Sequence, residues 1–153
     1  MADSIELRQA AAVDAPAIRE LTREAYAKWV AVIGREPKPM TANYSDAVQK
    51  HRFDLLYLGG RLTALVETIP QADHLLVENL AVLPSFQRRG FGRRLMDHAE
   101  KLAASSGFNE IRLYTNKAFA GNVRLYSELG YRVVREEEFK GGVAVHMSKT
   151  IGS

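Results

Sequence analysis

The sequence predicts an α/β (α+β) fold in which a mixed, mostly antiparallel central sheet of six to seven strands carries helices on both faces. β-rich runs recur along the chain, and segments with apolar residues at helical spacing lie between them. One strand–helix–strand unit over residues 75–115 indicates a parallel pair of neighbouring strands. Short turns join the other strands, which favours antiparallel pairing.

The first half of the chain predicts a strand, two helices and a hairpin. Asp14 is a good N-cap for a helix whose apolar residues recur at helical spacing from Ile18 to Trp29. Two prolines and a glycine then indicate a loop, and a Gly-Gly-Arg turn joins two β-rich runs. The predicted elements are a strand over 4–10, a helix over 15–30, a loop over 34–40, a short helix from Thr41 or Asn43 to about His51, and strands over 53–58 and 62–69.

The second half predicts alternating strands and helices, followed by a last hairpin. Apolar residues fall on one helical face from Phe91 to Leu102, and Gly107 ends that helix. The acidic run at 136–138 is expected to be a solvated strand end or turn. The predicted elements are a turn at 70–74, a strand over 75–83, the helix that starts near Gly90, a strand over 110–115, a short helix over 121–129, and strands over 131–135 and 143–147.

Composition is that of one globular domain over residues 1–153, with 46% hydrophobic and 25% charged residues. The absence of cysteine excludes a disulfide scaffold, a thiolate zinc site and a cysteine nucleophile. The four histidines lack the spacing of metal ligands, so no metal is expected. No signal peptide or apolar run of about 20 residues is present, and the expected location is cytoplasmic, away from the membrane.

The strongest chemical signal follows the strand over 75–83, where the chain reads Gln87-Arg88-Arg89-Gly90-Phe91-Gly92-Arg93-Arg94. A helix N-terminus presents unpaired N–H groups and partial positive charge, and the two glycines let a ligand approach the backbone closely. Four arginines add charge suited to bidentate phosphate contacts. The segment lacks the Lys-Ser or Lys-Thr of a P-loop, and Leu95 replaces the third glycine of a Rossmann turn. It therefore predicts a pyrophosphate cradle of another type.

This motif resembles that of the GNAT superfamily of N-acetyltransferases, and Asn122 and Tyr126 follow at the spacing of that family. The resemblance implies that acetyl-CoA binds where the strands over 75–83 and 110–115 diverge. Its pantetheine arm would pair with the first strand, and its pyrophosphate would rest on amides from Gln87 to Gly92. The implied cofactor-binding residues are Leu80, Ala81, Val82, Gln87, Arg88, Arg89, Gly90, Phe91, Gly92, Arg93, Asn122 and Tyr126.

The resemblance implies that Tyr126 places its hydroxyl beside the cofactor sulfur, where a phenol can act as general acid towards the leaving thiolate. Glu78 is the candidate general base, because a carboxylate in an apolar strand is costly unless solvated or paired. The alternatives are a solvated Glu78 with no role in proton transfer and a water chain as base. Asn79 would bond the substrate or bridge a bulge, and the Leu80 N–H would polarise the thioester carbonyl.

The resulting prediction is an N-acetyltransferase that moves the acetyl group of acetyl-CoA directly to a primary amine in a ternary complex. Tyr26, Trp29, Met40 and Tyr44 would form a wall of the acceptor site, and residues 34–41 are either an acceptor loop or a plain connection. The alternative is a non-catalytic CoA- or acyl-CoA-binding sensor on the same fold. The formal net charge of +3, without an aromatic platform, argues against nucleic acid. A homodimer is compatible with the resemblance.

Overall fold

A computed structural model describes residues 4–152, within which seven strands form one sheet. The strands are β1 Ile5–Gln9, β2 Arg52–Leu58, β3 Arg61–Pro70, β4 Leu75–Val82, β5 Glu110–Asn116, β6 Arg132–Phe139 and β7 Gly142–Thr150. The helices are α1 Ala15–Ile33, α2 Lys38–Thr41, α3 Tyr44–Lys50, α4 Phe91–Ser105 and α5 Ala120–Glu128. No helix in this range is both long and apolar enough to span a bilayer.

The sheet has the order β1-β2-β3-β4-β5-β7-β6, and all its pairs are antiparallel except β4 with β5. The parallel pair is joined through α4, as a parallel connection requires. This confirms the predicted mixed, mostly antiparallel sheet with seven strands.

Helices cover both faces of the sheet and divide the core in two. One half packs α4 and Tyr126 of α5 against residues such as Leu56 and Val66. The other half packs α1 and α3 against residues such as Leu55 and Leu65. Neighbouring residues of a strand point to opposite faces of the sheet. Because helices cover both faces, consecutive residues of β2 and β3 are buried, and most of them are apolar. The prediction of helices on both faces is confirmed.

Several element boundaries differ from the sequence-based expectation. The first helix continues to Ile33, where Gly34 ends it with φ 74°. Asp14 lies at the N-cap position, but its carboxylate accepts a hydrogen bond from Ala11 N (2.8 Å) in the preceding 3-10 turn instead of capping α1. The expected loop over 34–40 contains the start of the one-turn α2, which tolerates proline in its first turn.

The predicted end of the strand at residue 135 is wrong, because β6 continues through the acidic run to Phe139. Every residue of β6 is exposed, since it is an edge strand with no helix over it. Solvation of the glutamates is therefore compatible with extended backbone, and the next turn occurs at Lys140 and Gly141, both with positive φ.

Candidate active site

The parallel strands β4 and β5 pair at three positions and then part. The last pair is Val77 with Leu113, beyond which neither strand continues the ladder. A cleft of about 830 Å³ opens there, with α1 on one side and the N-terminus of α4 and α5 on the other. This volume is in the upper range for ligand pockets.

A β-bulge at Glu78 marks the point of divergence. Glu67 of β3 pairs with Asn79 and Thr68 pairs with Val77, so Glu78 has no partner on β3. The extra residue changes which face the following residues point to. Leu75 and Val77 pack with α4, whereas Ala81 and Leu83 pack with α1.

The N-terminus of α4 forms a concave run of backbone amides at one end of the cleft. Gly90 is its N-cap with φ 88°, and Arg88 also has a positive φ of 63°. The first N–H to bond back is that of Arg94, to Gly90 O (3.0 Å). The amides of residues 91–93 precede it and have no acceptor within the helix. This geometry suits an anion such as a pyrophosphate.

Gly92 faces the apolar side of the cleft. A Cβ there would lie 3.6 Å from Leu125 Cδ2, 3.7 Å from Leu80 Cδ2 and 3.9 Å from Val82 Cγ2. These are ordinary contact distances, so the fold itself does not require glycine at this position. A larger side chain would extend into the space between β4 and α5.

Gln87 braces the loop that carries the motif. Its Nε2 donates to Val82 O (2.9 Å), and its Oε1 accepts from Lys28 Nζ (2.6 Å). Partial burial, followed by repulsion from Arg88, lowers the pKa of Lys28. An anion in the cleft would therefore stabilise the charged form of Lys28, since both Lys28 and Arg88 line the cleft.

Two of the predicted cofactor-binding residues do not line the cleft with their side chains. Phe91 is buried in the core, edge-on to Phe86. The Arg89 guanidinium lies over the same Phe86 ring, 5.1 Å from its centre. Only the backbone amides of these two residues are available to the predicted cradle. The remaining ten of the predicted set do line the cleft: Leu80, Ala81, Val82, Gln87, Arg88, Gly90, Gly92, Arg93, Asn122 and Tyr126.

Tyr126 is a buried phenol with an unused hydroxyl. Its ring is 6% exposed and stands edge-on to Tyr131, while its hydroxyl forms no hydrogen bond with residues 4–152. Burial raises the pKa of Tyr126 above the ordinary value of 10.0, so the phenol stays protonated at neutral pH. Asn122, one turn earlier in α5, lines the same cleft.

Glu78 lies in a polar cluster at the fork between β4 and β5. Its Oε1 accepts from the Tyr114 hydroxyl (2.6 Å) and lies 3.3 Å from Lys38 Nζ. Burial and the bond to Glu78 raise the pKa of Tyr114 to about 12. The hydrogen bond to Tyr114 raises the pKa of Lys38. Among the described residues, no group of three or more potential metal ligands is arranged around an ion site.

A buried polar network fixes the strand behind the cleft. The Tyr26 hydroxyl lies 3.0 Å from Asn79 Oδ1 and 3.1 Å from Leu80 O. Asn79 Nδ2 in turn approaches the hydroxyls of Thr22 (3.5 Å) and Tyr44 (3.4 Å). The carbonyls of Leu80 and Val82 thus accept hydrogen bonds from side chains because β5 has moved away from them.

Sequence reasoning missed Tyr114 and Lys38 beside Glu78. One signal for Tyr114 was present, since it is a hydroxyl-bearing residue in the strand predicted to run parallel to 75–83. The contact between Tyr114 and Glu78 depends on the register of the two strands, and the spacing of apolar residues does not predict that register. Lys38 belongs to residues 34–41, for which the sequence indicates either an acceptor loop or a plain connection.

The fold is shared with solved acetyltransferases. The PaiA N-acetyltransferase of Thermoplasma acidophilum, solved in complex with coenzyme A, superposes with a TM-score of 0.82 and 22% identity over 96% of this chain and 99% of that one. The ribosomal-protein-S18-alanine N-acetyltransferase of Escherichia coli gives a TM-score of 0.80 and 21% identity over 98% and 96% of the two chains.

Sequence comparison points the same way. The chain is 34% identical over 71 residues to the ribosomal protein bS18-alanine N-acetyltransferase of Salmonella typhimurium, which is 46% of this chain and 48% of that protein. It is 36% identical over 69 residues to mouse N-alpha-acetyltransferase 80, which is 45% of this chain and 21% of that protein. The chain thus spans about half or less of these relatives. The profile of the acetyltransferase (GNAT) family matches residues 15–131, and the chain belongs to that family.

Proposed function

We propose that the protein transfers the acetyl group of acetyl-CoA to a primary amine by direct attack in a ternary complex. The observation that carries the proposal is the opening between β4 and β5, which leads from the amide cradle of α4 to the unpartnered hydroxyl of Tyr126. Family membership and a structural relative solved with coenzyme A support the same conclusion.

The cleft fits the parts of the coenzyme. Free amides at the start of α4, with Arg88, Arg93 and Lys28 nearby, suit the phosphates. The edge of β4 around Leu80 and Val82 suits an arm with amide groups, which would add to the strand beside, or in place of, the bonds that Tyr26 and Gln87 donate to these two carbonyls. Gly92 leaves apolar space between that edge and α5. When bound, the coenzyme supplies an acetyl group on a thiol that leaves as the amine attacks.

Tyr126 is the general acid of this proposal. The new C–N bond forms at the acetyl carbon as the C–S bond breaks, and the departing sulfur takes up the phenolic proton. A raised pKa keeps the hydroxyl protonated until that moment. General acid catalysis of this kind contributes about 10² to 10⁴ in rate.

Glu78 is the general base, and Tyr114 holds its carboxylate at the fork of the strands. The acceptor is an ammonium ion in solution, so it loses one proton to solvent before it attacks. As the amide forms, the nitrogen gives up a second proton, which Glu78 accepts directly or through water. Products are then the N-acetyl compound and the free thiol, with the proton taken by Glu78 returning through solvent to Tyr126.

Replacing Tyr126 by Phe tests this function. With acetyl-CoA and a panel of primary amines, thiol release by Tyr126→Phe should fall about 100-fold in kcat, with little change in KM for acetyl-CoA. The matched control is Tyr131→Phe, which removes another buried hydroxyl in contact with the same ring but bonded to Glu100 (3.0 Å). Equal turnover by Tyr126→Phe and the unaltered protein would remove Tyr126 from the mechanism. Tight acetyl-CoA binding without thiol release for any amine would favour the sensor alternative.

A further inference from the structure

A second cavity, of about 410 Å³, lies between the end of α1, the loop from β5 to α5 and the hairpin from β6 to β7. It is separate from the cofactor cleft and is lined by three cationic side chains, those of Arg35, Lys117 and Lys140, together with the exposed Val32. This basic cavity plays no part in the mechanism described above.

The positive charge of the basic cavity is only partly neutralised. Lys117 Nζ lies 3.0 Å from Glu136 Oε1. Arg35 and Lys140, by contrast, have no carboxylate within 4.0 Å in the range 4–152. Both cations lie over one ring, that of Phe139, at 5.7 Å and 5.4 Å from its centre. Two cations that line one cavity without a carboxylate partner favour the binding of an anion there.

The basic cavity lies beside the cofactor cleft and the pair formed by Glu78 and Tyr114. Trp29 lines the cofactor cleft and stacks on Phe119 (4.4 Å), and Val32 lines the basic cavity about one turn later in α1. On β5, Tyr114 contacts Glu78, and Asn116 lines the basic cavity two residues further on. Two residues of strand span about 7 Å.

We infer that the basic cavity binds a carboxylate of the acceptor, and that the acceptor is a peptide with an acidic side chain close behind its N-terminal amine. This inference rests on the proposed N-acetyltransferase function. The carboxylate of a free α-amino acid is only two bonds from its amine, whereas each extended residue of a peptide adds up to about 3.5 Å between its amine and a later carboxylate. An acidic residue at the second to fourth position of a peptide can therefore lie in the basic cavity while the amine lies in the neighbouring cleft. A polyamine would be repelled by Arg35 and Lys140.

The test uses fluorescently labelled peptides that share one N-terminal residue and differ only in carrying Glu, Gln or Lys at positions two to four. Binding to the protein loaded with CoA, measured by anisotropy, should be tightest for the Glu peptide and weakest for the Lys peptide. Arg35→Gln and Lys140→Gln should each reduce the preference for Glu over Gln about threefold, as expected for a solvent-exposed ion pair. Lys101→Gln is the control, because Lys101 lies on α4 and pairs with Asp97 (3.0 Å). Added salt should weaken the preference.

Affinity that does not depend on peptide charge, or a preference for Glu that survives in the double variant Arg35→Gln, Lys140→Gln, would overturn the inference. Preferred binding of free glutamate over the Glu peptide would also overturn it. Because this measurement needs no turnover, it separates the two ideas. Charge-selective binding without thiol release contradicts the proposed function alone, and thiol release without charge selection contradicts the inference alone.

Discussion

At the scale of single residues, the fork between β4 and β5 brings together two side chains from distant parts of the chain. Val77 and Leu113 form the last pair of the parallel ladder, so Glu78 and Tyr114 are the first residue of each strand beyond it. Their hydrogen bond of 2.6 Å joins the two strands just beyond the last pair of the ladder. A carboxylate is thereby held where the two strands part, although Glu78 itself is not among the residues that line the cofactor cleft.

The first prediction at this scale concerns Gly92. Gly92→Val should weaken acetyl-CoA binding at least about tenfold, equivalent to about 1.4 kcal/mol, because its methyl groups fill the space beside Leu80 and Leu125. Its melting temperature should stay within a few degrees of that of the unaltered protein. Gly92→Ala serves as the control, since a Cβ alone meets only ordinary contacts. Calorimetry with acetyl-CoA measures the affinity, and an unchanged value in Gly92→Val would mean that the coenzyme does not pass this residue.

At the scale of elements, the sequence predicts the strands and helices better than the contacts between them. The helical spacing from Phe91 to Leu102 and the glycines at its start predicted α4 correctly, while the pyrophosphate cradle at its N-terminus stays a prediction. Strand β4, however, shows unbroken alternation of buried and half-buried residues, although the bulge at Glu78 changes the face of its second half. This alternation shows which residues are buried, but it does not show which helix covers them. The hydrogen bond between Asn79 and Tyr26 could therefore not be predicted from the sequence.

The roles of the predicted cofactor-binding and catalytic residues remain predictions. Ten of the twelve cofactor-binding candidates line one cleft, whereas Glu78 lies outside its lining. This gathering could be anticipated from the order of elements, because a parallel pair joined through a helix places the helix N-terminus beyond the end of the first strand. The long reach of Lys38 from α2 to Glu78 could not be anticipated, since α2 itself lies in a segment whose prolines indicated a loop.

Glu67, a buried carboxyl group of β3, makes the free energy of unfolding depend on pH. Glu67 is 4% exposed and accepts from or donates to His51 Nδ1 at 2.6 Å. Burial raises the pKa of Glu67 above its ordinary value of 4.5, so the folded state favours the protonated acid. A raised pKa contributes stability that is present below pH 4.5 and is lost as the pH rises through the folded value.

We expect the free energy of unfolding of the unaltered protein to exceed that of Glu67→Gln by less at pH 7.5 than at pH 4.5. Urea unfolding at the two pH values measures this difference. Glu24→Gln, on the exposed side of α1, controls for the substitution itself. A difference in free energy of unfolding that stays constant, or grows as the pH rises, would contradict the raised pKa of Glu67.

At the scale of the whole molecule, the cleft cuts between the two halves of the core. Tyr126 and Leu80 belong to the side of α4, while Ala25 and Tyr26 belong to the side of α1. A ligand that touches both sides stabilises the folded state as a whole. Its binding free energy then adds to the free energy of unfolding.

Acetyl-CoA at about 100 times its Kd should add about 2.7 kcal/mol to the free energy of unfolding, which corresponds to a rise in Tm of roughly 5–10 °C. Differential scanning fluorimetry measures this rise. Gly92→Val should show a smaller rise at the same concentration. No shift at millimolar acetyl-CoA would argue that the cleft does not bind the coenzyme.

The bulge adds Glu78 to β4 without altering the arrangement of its neighbours. Val77 and Asn79 pair with adjacent residues of β3, Thr68 and Glu67, so the two strands would pair without interruption if Glu78 were absent. Every other residue of β4 would then keep its partner on β3 and the face that it has now. Deletion of Glu78 would therefore remove the carboxylate and its bond to Tyr114, while the residues that line the cleft stay in place.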